Sequence, residues 1–523
     1  MLKQRVIDTL EKLIDIGIAL SSEPNTDQLL EMILSGAKSI TNADFGILFL
    51  VQTNKLQIEL VQCTTLNISF RLAFEYASLM PDIPLYQANG EPNLANASSY
   101  TFHNNQAINI ADAYLDERFD FSETKKIEQQ YGYHLQSFLS MPLKNHENDT
   151  IGVLMLVNAM QANTQEIIAF DEVAQRFVEA LASQAAIVLT KRHLIQDLES
   201  MFESFIKLLA IAIDDKSPYT GGHCRRVPEL TMMLADAAHA KQEGYLKDFK
   251  MTEHDRYALK IAGWLHDCGK ITTPEYVIDK ATKLQTIFDR IELIETRFEV
   301  LKRDAEIALL KQKGAKLDTD AALEQAYAQR IHQLNDDLAF LKHANTGAEF
   351  MSAADQQRVF DIAANTWQLD DAQLPLLSEN EVQNLTISHG TLTESERLII
   401  NHHIQVTIEM LGKINFPKHL REVPKYAGGH HERMDGTGYP NRLTREQMSI
   451  QARCMAIADI FEALTAKDRP YKEGKKLSVA LNILQSMKDD GHIDPDLFEV
   501  FMENKVYLRY AQKFLDDVLI DVD

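Results

Sequence analysis

Two clusters of histidine and aspartate carry the chemistry this sequence could support. The first is His266-Asp267, inside the run Gly263 to Lys270. The second is His430-His431, which opens a segment continuing through Glu432, Asp435, Gly436, Gly438, Tyr439 and Pro440. Histidine beside aspartate, then a histidine pair, then the later Asp459, is the ligand inventory of a multi-metal hydrolytic site. Adjacent helical residues diverge by about 100°, yet both can reach one ion beside the helix. A carboxylate has two oxygens and can bridge to a second ion. A bridged metal pair lowers the pKa of bound water and holds both sides of a displacement at phosphorus. In chain order the series is His223, His266, Asp267, Lys270, His403, His430, His431, Asp459, Arg469 and Lys472. A lone histidine is more often a surface or core residue than a ligand, so the joint pattern carries the argument.

These residues span 250 positions and need a scaffold. At 523 residues the chain is too long for one ordinary core, and two or three domains are expected. The formal charge of −23 argues against general nucleic-acid binding, which requires a basic footprint. It leaves room for a small anionic substrate, because metals and a few cations can dominate inside a pocket. The four cysteines (Cys63, Cys224, Cys268, Cys454) are scattered without a CxxC, which fits small core residues in a reducing cytoplasm. No apolar run approaches the ~18–20 residues of a membrane span, and Met1 to Leu10 lacks a signal core, so no membrane insertion is expected.

Residues 1–190 read as mixed α/β. Helical periodicity covers Ile14 to Ser39. Phe45 to Val51 and Leu56 to Val61 read as strands paired around Gln52 to Lys55, and Ser137 to Leu143 with Thr150 to Val157 as a second hairpin. Phe170 to Leu189 returns to helix. This order resembles a GAF sensor domain, on the pieces Tyr131-Gly132-Tyr133, Ser140 to Leu143, Ile151 to Leu154 and Phe170-Asp171. The resemblance implies an unidentified small ligand; His103, His134 and Cys63 read as ordinary packing or exposure rather than haem or metal ligands. Residues 170–215 form a connecting helix in which Leu194, Leu198, Met201, Phe205, Leu208 and Ala212 alternate four and three apart. That seam suits a parallel homodimer that carries a signal from sensor to effector, or packing onto the chain's own domains.

From 204 to 523 the expectation is an all-α domain interrupted by an insertion at 285–390. Ile287, Ile291, Ile294, Phe298 and Leu301 form one heptad arm, and Tyr327, Ile331, Leu334, Leu338 and Leu341 the other. The polar stretch Lys313 to Asp320 between them predicts an antiparallel helical hairpin. Either an interaction surface or a solvated insertion fits it.

The segments Pro218 to Val227, His266 to Ile271, Leu392 to Glu396 with His403, His430 to Pro440, and Ala456 to Leu464 followed by Arg469 to Lys472 resemble, in the same order, the HD-GYP subgroup of HD-superfamily metal-dependent phosphohydrolases. The resemblance implies hydrolysis of cyclic di-GMP to linear pGpG or GMP. It implies that His223, His266, Asp267 and Asp459 bind one divalent metal, and that Asp267 bridges to a second held by His403, His430 and His431. Fe or Mn is the leading expectation, with Ni or Zn as alternatives, since imidazole and carboxylate suit all four. The spacing favours His403 over His402. Where some members carry a glutamate for a third metal this chain has Tyr219, which favours two ions; Asp215, one turn away, keeps a third open. Lys270 would assist at the phosphate or leaving group, or else pair with Asp267. Arg469 and Lys472 resemble substrate-phosphate cations, or else form a solvated turn. Tyr439 reads as an exposed ring on a loop that could dock a GGDEF-domain partner, Asp435 as a cap within that loop, and Glu432 as an acceptor that orients an imidazole. Cyclic GMP-AMP hydrolysis, an HD-type nucleotidase and a non-catalytic cyclic-dinucleotide receptor are the rival readings.

Overall fold

The computed structural model describes residues 2–522 apart from 24, 71–81, 162–163, 165, 217–221, 316–320, 348–349, 371 and 467–473. The chain divides into two compact units, Met1–Met201 and Phe202–Asp523.

The first unit runs α1 (Leu2–Ser22), α2 (Thr26–Thr41), β1 (Ala43–Gln52), β2 (Lys55–Cys63), β3 (Ile68–Phe70), β4 (Ile83–Pro84), α3 (Ala97–Asn104), β5 (Ile108–Ile110), α4 (Ser122–Tyr131), β6 (Phe138–Lys144), β7 (Thr150–Met160), β8 (Ile167–Ile168) and the first part of α5 (Glu172–Asp214). Helical periodicity through Ile14 to Ser39 is divided between α1 and α2, because Asn25 takes extended backbone and caps α2 with its side chain. The strands form one antiparallel sheet in the order β3-β2-β1-β7-β6-β5, with β4 on β2 and β8 on β7. Both expected hairpins are present, with Gln52 opposite Lys55 and Lys144 opposite Thr150. Strand alternation sends Phe45, Ile47 and Phe49 into one apolar core and Leu48 into the other, where α1, α2 and α5 supply Leu20, Ile33, Leu34 and Leu181.

The second unit is almost entirely helical: the end of α5, then α6 (His223–His239), α7 (Glu253–Leu265), a 3-10 turn (Cys268–Thr272), α8 (Glu275–Ile278), α9 (Ile291–Ala315), α10 (Ala321–Asn345), α11 (Ala353–Ala363), the hairpin β9 (Thr366–Leu369) and β10 (Ala372–Pro375), α12 (Glu379–Leu385), α13 (Glu394–Gly412), α14 (Val423–Gly428), α15 (Ile450–Thr465), α16 (Leu477–Asp489), α17 (Pro495–Glu503) and α18 (Val506–Phe514). One large core joins α5, α6, α7, α14, α15, α16, α17 and α18. A second, smaller core lies within the inserted region, built on Ile294, Phe298, Leu334, Leu338 and Leu341 of α9 and α10 with Val359, Leu376 and Leu385. The heptad arms thus become two helices, but Ile287 lies outside them and is 97% exposed. Beyond Asn345 the insertion adds two helices, α11 and α12, and the β9-β10 hairpin, which the heptads could not signal. Lys280 is buried and donates to both Glu396 carboxylate oxygens and to Asn384, tying the insertion to the start of α13.

Candidate metal centre

Seven side chains from five chain segments converge in the second unit. His223, His266, Asp267 and Asp459 place one ligand atom each within a single sphere of contact, and Asp267, His403, His430 and His431 do the same beside it. Asp267 belongs to both groups, and its oxygens divide between them. Oδ2 lies 3.3 Å from His223 Nε2 and 3.3 Å from His266 Nε2, whereas Oδ1 lies 3.2 Å from His403 Nε2. Asp459 Oδ1 closes the first group at 3.2 Å from His223 Nε2, and His431 Nε2 is 3.2 Å from His403 Nε2 in the second.

Backbone proximity brings these segments together, and two glycines permit it. Gly263, on α7, faces Pro228 of α6, where an added Cβ would lie 3.0 Å from the Pro228 backbone. Gly269, in the 3-10 turn, faces α13; a Cβ there would lie 1.9 Å from the His403 carbonyl oxygen. The Gly269 N–H also donates to Thr407 Oγ1 at 2.9 Å. The turn bearing Asp267 is therefore pressed against the helix bearing His403, and Asp267 can face both groups.

Four of the five imidazoles have Nδ1 engaged elsewhere. His266, His403 and His430 pair Nδ1 with the carbonyl three residues earlier, at Gly263, Ile400 and Ala427. His223 pairs Nδ1 with buried Glu462, which also accepts from the Arg226 guanidinium. Such partners fix the ring and leave Nε2 as the inward-facing donor, the arrangement in which metals are held. His430 Nε2 is buried without any hydrogen-bond partner, a costly state for a polar atom unless something else takes its lone pair. The donor set, three imidazoles or two imidazoles plus carboxylates around each position, fits a pair of divalent transition metals.

The electrostatics differ between the halves. Burial lowers His266, but the carboxylates of Asp267 and Asp459 outweigh it and raise the group to about 9; His223 moves the same way beside Glu462. Burial takes His430 down to about 4, and His431 falls well below its ordinary range. Burial alone would raise Asp267, yet Lys270 and His266 hold it well below the carboxylate range. Lys270 Nζ donates to Asp267 Oδ2 at 2.6 Å, and Asp267 and Asp459 keep it charged despite burial.

Other expectations meet the structure as follows. His402 is exposed while its neighbour His403 faces Asp267. Lys270 does not continue the α7 helix: the helix stops at Leu265 and Lys270 sits on the 3-10 turn, paired with Asp267. Tyr439 does not present a free ring; it stacks on His431 with centroids 4.9 Å apart. Glu432 orients no imidazole; it is buried and accepts from the N–H groups of Asn441 and Leu443, which folds the loop. Asp435 caps within the loop by accepting from Thr437. Cys268 is a buried thiol raised to about 11 by burial. Arg469, Lys472 and Tyr219 lie outside the described residues; Asp215 is exposed and belongs to neither group. Glu462 was missed as a partner of His223, although it lies three residues from Asp459 on one helix, a spacing that shares a face.

Comparison with known proteins finds two domain families along the chain. Residues 25–189 match the GAF domain, and residues 347–497 match the HD domain. The latter segment includes His403, His430, His431 and Asp459, while His223 and His266-Asp267 precede it. The chain is 37% identical over 118 residues to 3'3'-cGAMP-specific phosphodiesterase 1 of Vibrio cholerae, covering 22% of this chain and 26% of that protein. It is 38% identical over 114 residues to the cyclic di-GMP phosphodiesterase PA4108 of Pseudomonas aeruginosa, again 22% and 26%. With the cyclic di-GMP phosphodiesterase response regulator RpfG of Xanthomonas campestris it shares 25% identity over 258 residues, 49% of this chain and 65% of that protein. The chain thus spans between a quarter and two thirds of the length of these relatives. Separate segments of the chain therefore match a GAF domain and an HD domain.

Proposed function

We propose that the chain is a metal-dependent cyclic-dinucleotide phosphodiesterase of the HD-GYP type that hydrolyses cyclic di-GMP to pGpG or GMP. The observation that carries this reading is Asp267, buried between two complete ligand groups with one oxygen turned to each. Such a pair of ions, when bound, supplies an activated water and Lewis acidity toward the phosphoryl oxygens. The chain's own residues do the rest. Glu462 and the carbonyls of Gly263, Ile400 and Ala427 hold the imidazoles so that their Nε2 atoms face inward. Lys270 keeps a positive charge beside Asp267, where charge accumulates on phosphate in the transition state. Arg469 and Lys472, which lie outside the described residues, are the cations proposed for the substrate's phosphates.

Cyclic GMP-AMP is the second reading. Two relatives of nearly equal identity are named for different cyclic dinucleotides, which supports keeping both substrates in the test. The GAF domain takes a small ligand. The exposed seam Leu194, Leu198, Met201, Phe205 and Leu208, each 52–64% exposed, supports a parallel homodimer along α5. The Tyr439 loop is the face offered to a GGDEF-domain protein. Among the described residues no helix is long and apolar enough to cross a membrane, and the four buried, unpaired cysteines support work in the reducing cytoplasm. Chromatography of products from both cyclic dinucleotides, with metal-replete protein, tests the reading. Binding without hydrolysis would leave a receptor, and hydrolysis of mononucleotides alone a nucleotidase.

A further inference from the structure

The end of α5 grips both segments that build the first ligand group. Asp214, the last residue of the helix, is only 6% exposed. Its carboxylate accepts the backbone N–H of Gly222 at 3.1 Å and of Cys224 at 3.2 Å. Gly222 is the N-cap of α6 and has no side chain to offer, so Asp214 satisfies the orphan N–H groups around His223 from a distance of eight residues. Two positions on, Lys216 Nζ donates to the carbonyls of Lys270 at 3.2 Å and Thr273 at 2.7 Å, and to that of Ile271. Those carbonyls close the 3-10 turn that begins next to Asp267. Neighbouring side chains therefore hold the start of His223's helix and the end of Asp267's turn. Ile206, Ala210 and Ile213 seat the same helix end in the core. The exposed Asp215 between them makes neither contact.

We propose that Asp214 and Lys216 are positioning residues through which α5 sets the occupancy of the His223-His266-Asp267-Asp459 metal position. This rests on the metal-dependent reading above and adds its regulation. α5 is continuous from Glu172, in the GAF unit, to Asp214. A shift or rotation of the helix moves the two grips together, and the spacing of His223 from Asp267 follows. Both grips fall on the segments that bear His223 and Asp267, not on those that bear His403, His430 and His431, so the first position responds more than the second, which shares only Asp267 with it.

The test is Mn²⁺ titration of the full chain, with total metal measured by elemental analysis and pairing of the ions by electron paramagnetic resonance. Wild type should bind two ions with a coupled-pair spectrum. Asp214→Ala and Lys216→Met should keep one tight ion, show an isolated-ion spectrum, and bind the second about 10–100-fold more weakly. Asp214→Asn retains an acceptor oxygen and should recover most of the second affinity, and Asp215→Ala should match wild type. Two ions at wild-type affinity in both Asp214→Ala and Lys216→Met would overturn the proposal. So would equal weakening of both ions, or failure of Asp214→Asn to recover. A wild type that binds a coupled pair but hydrolyses no cyclic dinucleotide would sink the substrate assignment and leave this test standing.

Discussion

Gly269→Ala perturbs the metal centre through one methyl group. The added Cβ would lie 1.9 Å from the His403 carbonyl oxygen, 2.7 Å from the Thr407 nitrogen and 2.8 Å from Thr407 Oγ1. Backbone atoms offer no rotamer escape. Restoring ordinary contact at about 3.4 Å requires the 3-10 turn and α13 to part by roughly 1.5 Å, well beyond the few tenths of an ångström that metal–ligand bonds tolerate. Asp267 and His403 would then no longer share an ion. Overpacking of this kind costs about 1–3 kcal/mol of stability, and a misplacement of ~1 Å can lower turnover about 100-fold. The expected result is a folded protein with a lower melting temperature, one ion lost, and hydrolysis reduced at least about 100-fold. The assay pairs thermal unfolding with elemental analysis and product chromatography. Two bound ions and wild-type turnover in Gly269→Ala would refute the claim that close backbone approach builds the bridge.

Glu462→Gln should weaken one ion about 10–100-fold, because His223 loses its charged Nδ1 acceptor and Arg226 its counterion; metal titration reads this. Metal uptake should depend on pH differently at the two positions. His266, raised to about 9 in the metal-free protein, must lose a proton to bind, so affinity at its position should rise from pH 6 toward pH 9; His430, lowered to about 4, is already neutral and its position should change little over that range. Isothermal titration with a divalent metal at pH 6 and pH 8 would show this as one ion gained at the higher pH and one unaffected. Asp494→Ala should destabilise the second unit by about 3–5 kcal/mol, since it strands the buried Arg453 and removes one of the two carboxylates paired with Arg445, and thermal unfolding would reveal it.

The ligand types were legible because few residue kinds bind such metals and their order is distinctive. His223, His266, Asp267, His403, His430, His431 and Asp459 could all be nominated without coordinates. What holds them could not. Glu462 acts on a histidine 239 positions away, and Asp214 reads as one more acidic residue at a helix end until its N–H partners are seen. Gly269 is visible as a glycine, but its need to be one comes from the His403 carbonyl across the fold. That Tyr439 stacks on His431 and Glu432 closes its own loop is not legible in the sequence, because loop chemistry alone does not say which way a side chain turns. The GAF-type hairpins were legible from strand alternation and turn residues, whereas the short strands β3, β4, β5 and β8 carry too few residues for a period. The β9-β10 hairpin was hidden by the heptads that precede it.

The most direct test of the central claim is elemental analysis of anaerobically purified protein together with chromatography of the products from cyclic di-GMP and cyclic GMP-AMP, for wild type and Asp267→Ala. The account predicts two ions and hydrolysis of a cyclic dinucleotide in wild type, and loss of both the ion pair and turnover in Asp267→Ala. Full hydrolysis by Asp267→Ala, or a wild type that turns over neither substrate with both positions filled, would contradict it.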